Sequence, residues 1–198
     1  MARFFSILTV VLLFSVNLVF AGENRCIKYN KNFYNLVFSA KSSEHAGYYN
    51  QYLKHGETDK NWTEMIALHH FPNVYSPIDL AHTFREYLAQ YKCPSALFID
   101  EDNNICILDF LLIDDGMGNE NHMIILEFNV FKYVKSKNCG TVAFQYAKRY
   151  QICNANQVDG VKKQFEKYRP KALKAVQKFN LPDIIEEDYG NMQLNNLP

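Results

Sequence analysis

The feature that most constrains this chain is a pair of long segments in which apolar and polar residues alternate with period two. In MIILEFNVFKYV, residues 123–134, Ile124, Leu126, Phe128 and Val130 fall on one side and Glu127 and Asn129 on the other. TVAFQYAKRYQI, residues 141–152, repeats the pattern, with Val142, Phe144, Tyr146, Tyr150 and Ile152 opposed to Gln145, Arg149 and Gln151. Successive side chains of a strand point to opposite faces, so this spacing specifies two long strands of a sheet with one face in the core. The other face, carrying Glu127, Asn129, Gln145 and Arg149, is expected to meet water or a partner.

Around these strands the remaining segments sort by their own signals. FYNLVFSA, residues 33–40, is expected to be the first strand and YYNQYL, residues 48–53, the second. WTEMIALHHF, residues 62–71, reads as a strand because Pro72 and Asn73 stop it early and no helical cap precedes it. A helix follows: Ser76 is a natural N-cap, Pro77 fits the first helical position, and Asp79 sits in the first turn. Leu80, Phe84, Tyr87, Leu88 and Tyr91 give it one apolar face, and it must end before Pro94. SALFID and NICILDFLLID flank EDNN as a hairpin. A last helix is expected from about Val158 to Phe179, with Val161, Phe165, Tyr168, Leu173, Val176 and Phe179 facing the core and Pro170 kinking or dividing it. Strands and helices are thus segregated, which predicts an α+β fold, an antiparallel β-sheet flanked by helices, rather than alternating βαβ units.

The N-terminus sets the expected compartment. Arg3 precedes an apolar run from Ile7 to Phe20 that ends in Val19-Phe20-Ala21, the pattern of a signal peptide over residues 1–21 cleaved near Ala21. The run contains Asn17 and falls short of the roughly 20 residues that span a bilayer, so no transmembrane segment is expected in the mature chain. Residues 22–180 then form one α+β domain and residues 181–198 an acidic, Asn-rich tail, expected to be loosely held. An exported protein, periplasmic or secreted, can form disulfides. Its five cysteines, Cys26, Cys93, Cys106, Cys139 and Cys153, leave at least one thiol over, and Cys106, inside ICILDFLLI, is expected to be a small core residue. Lys and Arg total 21 against 21 Asp and Glu, which argues against dedicated nucleic-acid binding.

Candidate chemistry is sparse. Trp62, the only tryptophan, is expected to anchor the start of a strand by burying its ring. His69 and His70 point to opposite faces of an extended strand and cannot share a metal. The chain contains no CxxC or HxxxH, so no metal or cofactor is expected. DDGMGNE, residues 114–120, lacks the ligand spacing of a calcium loop and reads as a solvated turn. The sequon Asn61-Trp62-Thr63 is read as coincidence. No Gly-x-Ser-x-Gly or paired-carboxylate motif occurs, so no catalytic residue is assigned, and an enzyme would need an unrecognised Cys/His site. The last helix carries Lys162, Lys163, Lys167, Arg169, Lys171, Lys174 and Lys178 against Glu166, a candidate partner-binding face for a protein or an anionic surface. The plainer reading is a solvated face balanced by Glu186, Glu187 and Asp188.

The Gly56-Glu57 loop leading to NWTEM, the Ser-Pro-capped helix, the cysteine-containing turn and the EFNVFKY and VAFQYAKRY pair resemble a group of small exported bacterial domains. That group is broadly similar to the Mog1/PsbP-like α/β/α sandwiches, and some members are type II-secreted proteins of intracellular bacteria. The resemblance covers roughly residues 33–179 and rests on packing motifs. It implies a non-catalytic binding or accessory module, or a secreted virulence-type factor, and carries over no catalytic residue.

Overall fold

The computed structural model describes residues 26–41, 47–114 and 123–186. The expected signal peptide, the expected turn after Asp114 and the tail from residue 187 lie outside the described residues. Eight strands form one sheet: β1 (Cys26–Tyr29), β2 (Asn32–Lys41), β3 (Tyr48–Leu53), β4 (Glu64–Phe71), β5 (Ser95–Asp100), β6 (Ile105–Asp114), β7 (Ile124–Lys135) and β8 (Thr141–Ile152). Among the described residues two α-helices join them, α1 (Pro77–Gln90) and α2 (Val158–Lys178), so the fold is a mixed α+β one. The strand order is β1-β2-β3-β4-β8-β7-β6-β5, and every neighbouring pair is antiparallel.

That order explains the path of the chain. It meanders from β1 to β4, leaves the sheet through α1, returns at the far edge as β5 and meanders back, until β8 closes against β4. The seam runs from Glu64 opposite Lys148 to Phe71 opposite Thr141. Gly140, at the end of the β7–β8 turn, has φ +71° and stands so close to the Phe71 carbonyl that an added Cβ would lie 2.0 Å from that oxygen. Only glycine tolerates both conditions.

Helix α1 starts where the sequence places it, with the Ser76 Oγ accepting from the Asp79 N–H at 3.1 Å. It packs on one face of the sheet, against Cys106, Leu108, Phe110, Phe131, Tyr133 and Ala143. Helix α2 packs on the other, over Ile107, Phe128, Val130, Phe144 and Tyr146.

Four expectations need correction. Strand β1 precedes the expected first strand, because CIKY pairs with the start of β2 from Cys26 opposite Asn35 to Tyr29 opposite Asn32. Helix α2 runs undivided through Pro170; the missing donor would have served the Glu166 carbonyl, and both residues are exposed, where solvent replaces it. The tail is docked as far as residue 186: Leu181, Ile184 and Ile185 pack on the core beside α2, and Asn50 holds the Ile185 backbone, accepting from its N–H at 2.9 Å and donating to its carbonyl at 3.1 Å. Finally, Glu127, Asn129 and Gln145, expected to meet water or a partner, are buried, and Arg149 is half-buried.

Candidate functional site

The basic helix is fixed to the sheet by one set of groups and presents a different set to solvent. On its inner side Ala172 and Val176 are buried and Phe165 meets Phe128 edge to face at 5.2 Å. Arg169 forks onto Asp109, with Nη2 donating to Oδ1 at 3.0 Å and Nε donating to Oδ2. Asp109 is buried in β6, so the pair is a charge-assisted clamp, and it raises the Arg169 pKa. From β7 the Lys132 ammonium donates to the carbonyls of Gln177 at 2.8 Å and Phe179 at 2.9 Å, placing a cation at the negative end of α2. Burial lowers the pKa of Lys132.

Lys163, Lys167, Lys171, Lys174 and Lys178 lie on the opposite side of α2, all exposed. At 100° and 1.5 Å per residue they occupy an arc of about 80° and a length of about 22 Å. Lys162 is exposed but off this ridge. None of these lysines has an ion-pair partner among the described residues. Arg169, grouped with them from the sequence, is spent on Asp109 instead. Of the acids expected to balance the helix, Glu186 stands 3.9 Å from His70 Nδ1, and Glu187 and Asp188 lie outside the described residues.

The polar residues of the α1 face form a hydrogen-bonded ladder. Trp62 is buried beside Leu53, Met65 and Ala147, and the Arg149 guanidinium lies 3.7 Å above its ring. Arg149 Nε donates to Glu127 at 3.0 Å, Asn129 donates to the other Glu127 oxygen at 3.1 Å, and Gln145 donates to Asn129 Oδ1 at 2.8 Å. The Gln145 oxygen is left for His69 Nε2 at 2.9 Å, which assigns the imidazole proton to Nε2. Tyr49, Phe71 and Phe131 enclose the His69 ring, and burial pulls its pKa down to about 4. His70 points the other way and meets the Cys139 carbonyl at 3.0 Å.

On the α2 face Glu64 accepts from Lys54, Lys148 and the Tyr34 hydroxyl, each at 2.8 Å. Burial opposes its ionisation, but these three donors prevail and hold its carboxyl at about 2. Lys148 also lies 4.5 Å above the Tyr168 ring, and burial pushes the neighbouring Tyr150 up to about 12.

None of the five thiols is in a disulfide: Cys26, Cys139 and Cys153 are exposed, Cys93 half-buried and Cys106 buried. Burial pushes Cys106 up to about 11, the environment of an inert core thiol. Asn61, in the sequon, uses its side-chain oxygen within its own turn, accepting from the Thr58 N–H at 2.6 Å and hydroxyl at 3.0 Å. Among the described residues no group of three or more His, Cys, Asp or Glu side chains is placed to hold a metal, and no helix is long and apolar enough to cross a membrane.

A protein-family model matches residues 22–181, about four-fifths of the chain. The chain belongs to that family. The matched segment starts immediately after Ala21 and ends at Leu181, the first apolar tail residue to pack on the core. No curated protein and no solved structure matches the chain.

Proposed function

We propose that this protein is an exported, non-catalytic binding or accessory module, a secreted factor of the Mog1/PsbP-like α/β/α type, that works through surface contacts at the outer face of α2. The observation that carries the reading is the division of labour on that helix. Arg169 and the Lys132 contacts secure its inner side and C-terminus, while a continuous row of lysines is left for solvent. Export is supported by the apolar N-terminal run and by a family match that starts at residue 22. The sandwich is supported by α1 and α2 packing on opposite faces of the sheet.

An anionic surface is the occupant this ridge fits best, because each lysine near such a surface contributes about 1 kcal/mol, and the sum is salt-sensitive. Sedimentation with vesicles of phosphatidylcholine and phosphatidylglycerol tests it. Binding is expected at low salt, falling steeply as salt rises. It is expected to vanish in a variant carrying Lys163→Glu, Lys167→Glu, Lys171→Glu and Lys174→Glu with unchanged thermal stability. Failure of the native protein to bind, or equal binding by that variant, overturns the proposal.

A further inference from the structure

Among the described residues the sheet ends in two strands with one neighbour each, β1 and β5, and the two are built differently. β1 is four residues long, carries Lys28 and runs into a left-handed turn at Asn30 and Lys31, with φ 47° and 71°. Short length and charge blunt an edge against further pairing. β5 is longer, and its one charged residue is Asp100 at the very end. It keeps unbroken register with β6 from Ser95 opposite Phe110 to Asp100 opposite Ile105, contains no lysine, proline or bulge, and leaves Phe98 50% and Ile99 39% exposed.

The hydrogen-bond phase of this edge can be read directly. The Leu111 N–H donates to the Pro94 carbonyl at 3.1 Å, so Pro94, Ala96, Phe98 and Asp100 turn their backbone groups toward β6. Ser95, Leu97 and Ile99 therefore turn theirs outward, a row of donors and acceptors that no other described strand pairs.

We propose that β5 pairs antiparallel with β5 of a second copy of this chain, about a two-fold axis at Leu97. In that register Ser95 faces the partner's Ile99 and Leu97 faces the partner's Leu97, so each outward-turned residue meets an outward-turned residue. Ala96 faces the partner's Phe98, and the small side chain leaves room for the ring. At each end Asp100, Glu101 and Asp102 come alongside the partner's Lys92, which is exposed at the start of the same segment. A second copy is favoured over an unrelated strand because the segment complements itself in backbone phase, side-chain size and charge. The contact is isologous, so it closes as a dimer and leaves no free β5 edge. The axis stands perpendicular to the sheet, so both copies of α2 lie on one side. If the lysine ridge binds an anionic surface, the dimer would engage it twice; the pairing itself does not depend on that reading.

Six-residue strands make a small interface, in the range of transient complexes, so self-association should be read from about 1 μM to about 1 mM by sedimentation velocity without lipid. The expected result is a concentration-dependent dimer in which the amides of Leu97 and Ile99 become slow to exchange. Phe98→Lys is expected to weaken the dimer by about tenfold or more. Asp102→Lys should weaken it less, about three- to fivefold, and adding Lys92→Glu should restore it. Circular dichroism checks that each variant is folded, and Asp102→Lys, a turn-surface change, reads the same interface if Phe98→Lys does not fold. A monomer across the whole range, or a dimer indifferent to both substitutions, overturns the proposal. Failure of Lys92→Glu to restore the Asp102→Lys dimer overturns the register.

Discussion

On the face that carries α1, Asn129, Gln145 and His69 reach Glu127 through a chain of mostly neutral hydrogen bonds, ending at the single cation Arg149. On the face that carries α2, Asp109 and Glu64 each meet cations, and Lys132 meets the end of a helix. The difference teaches how one sheet hides polar residues on both sides. A neutral ladder is rigid and fails link by link, since each amide is both donor and acceptor. An ion pair leaning toward solvent keeps an escape, because its exposed partner can return to water. Arg169, whose side chain is 36% exposed, has that escape, whereas Asn129 at 0% does not.

Asn129→Leu puts that contrast under the greatest load. It leaves one Glu127 oxygen and the Gln145 amide without partners in a dry environment, and should cost about 3 kcal/mol. Asp109→Asn keeps an acceptor for Arg169 and should cost only about 1 kcal/mol. Urea unfolding of the two variants measures the gap. Equal losses would mean that the ladder and the clamp respond alike and that burial of the partner does not matter.

The sequence makes parts of this arrangement readable and hides others for physical reasons. Alternation places β7 and β8 and sorts their residues correctly between faces, since the period-two rule is local. It does not say whether a face is covered, which depends on what the rest of the chain lays over it, and so Glu127, Asn129 and Gln145 look solvent-facing on paper. Two signals on the other face are legible in hindsight: Asp109 within ICILDFLLI and Lys132 within NVFKYV are lone charges in apolar strands, and such charges need a partner when buried. Arg169 gives no sign of being that partner, because it stands among lysines. β1 escapes notice because four residues carry too little alternation to register, and its strand character comes from pairing with β2. The docked start of the tail is foreshadowed only by Leu181, Ile184 and Ile185, which an acidic composition masks.

Acid separates the two faces. Glu64 titrates at about 2 when folded against 4.5 for the free group, so its ionised form stabilises the fold above pH 4.5 and that stabilisation drains away between pH 4.5 and 2. The amount is about 2–3 kcal/mol. Glu64→Gln should lose about 2 kcal/mol at neutral pH and flatten the stability profile below pH 4.5, measured by thermal unfolding across pH. A variant that keeps the full acid slope would show that the Lys54 and Lys148 contacts do not set it.

His69 acts at milder acidity and by the opposite logic, since burial among Tyr49, Phe71 and Phe131 favours its neutral form, while its bond to Gln145, which an imidazolium also donates, works the other way. Its folded value of about 4 lies below the free value of 6.5, so the unfolded chain binds the proton more readily between those limits. The stabilisation is complete above pH 6.5 and is lost as pH falls toward 4, by about 1–2 kcal/mol after allowance for partial exposure. His69→Phe fits among Tyr49, Phe71 and Phe131 but removes the donor to Gln145, and should cost about 1 kcal/mol at neutral pH. The same variant should lose less on acidification, so its stability curve converges on that of the native protein as pH approaches 4. If the curves instead stay parallel, His69 is not the group whose protonation sets this slope. Convergence would mean that the buried His69 ring on the α1 face yields first and Glu64 on the α2 face second, two acid steps on opposite sides of one sheet.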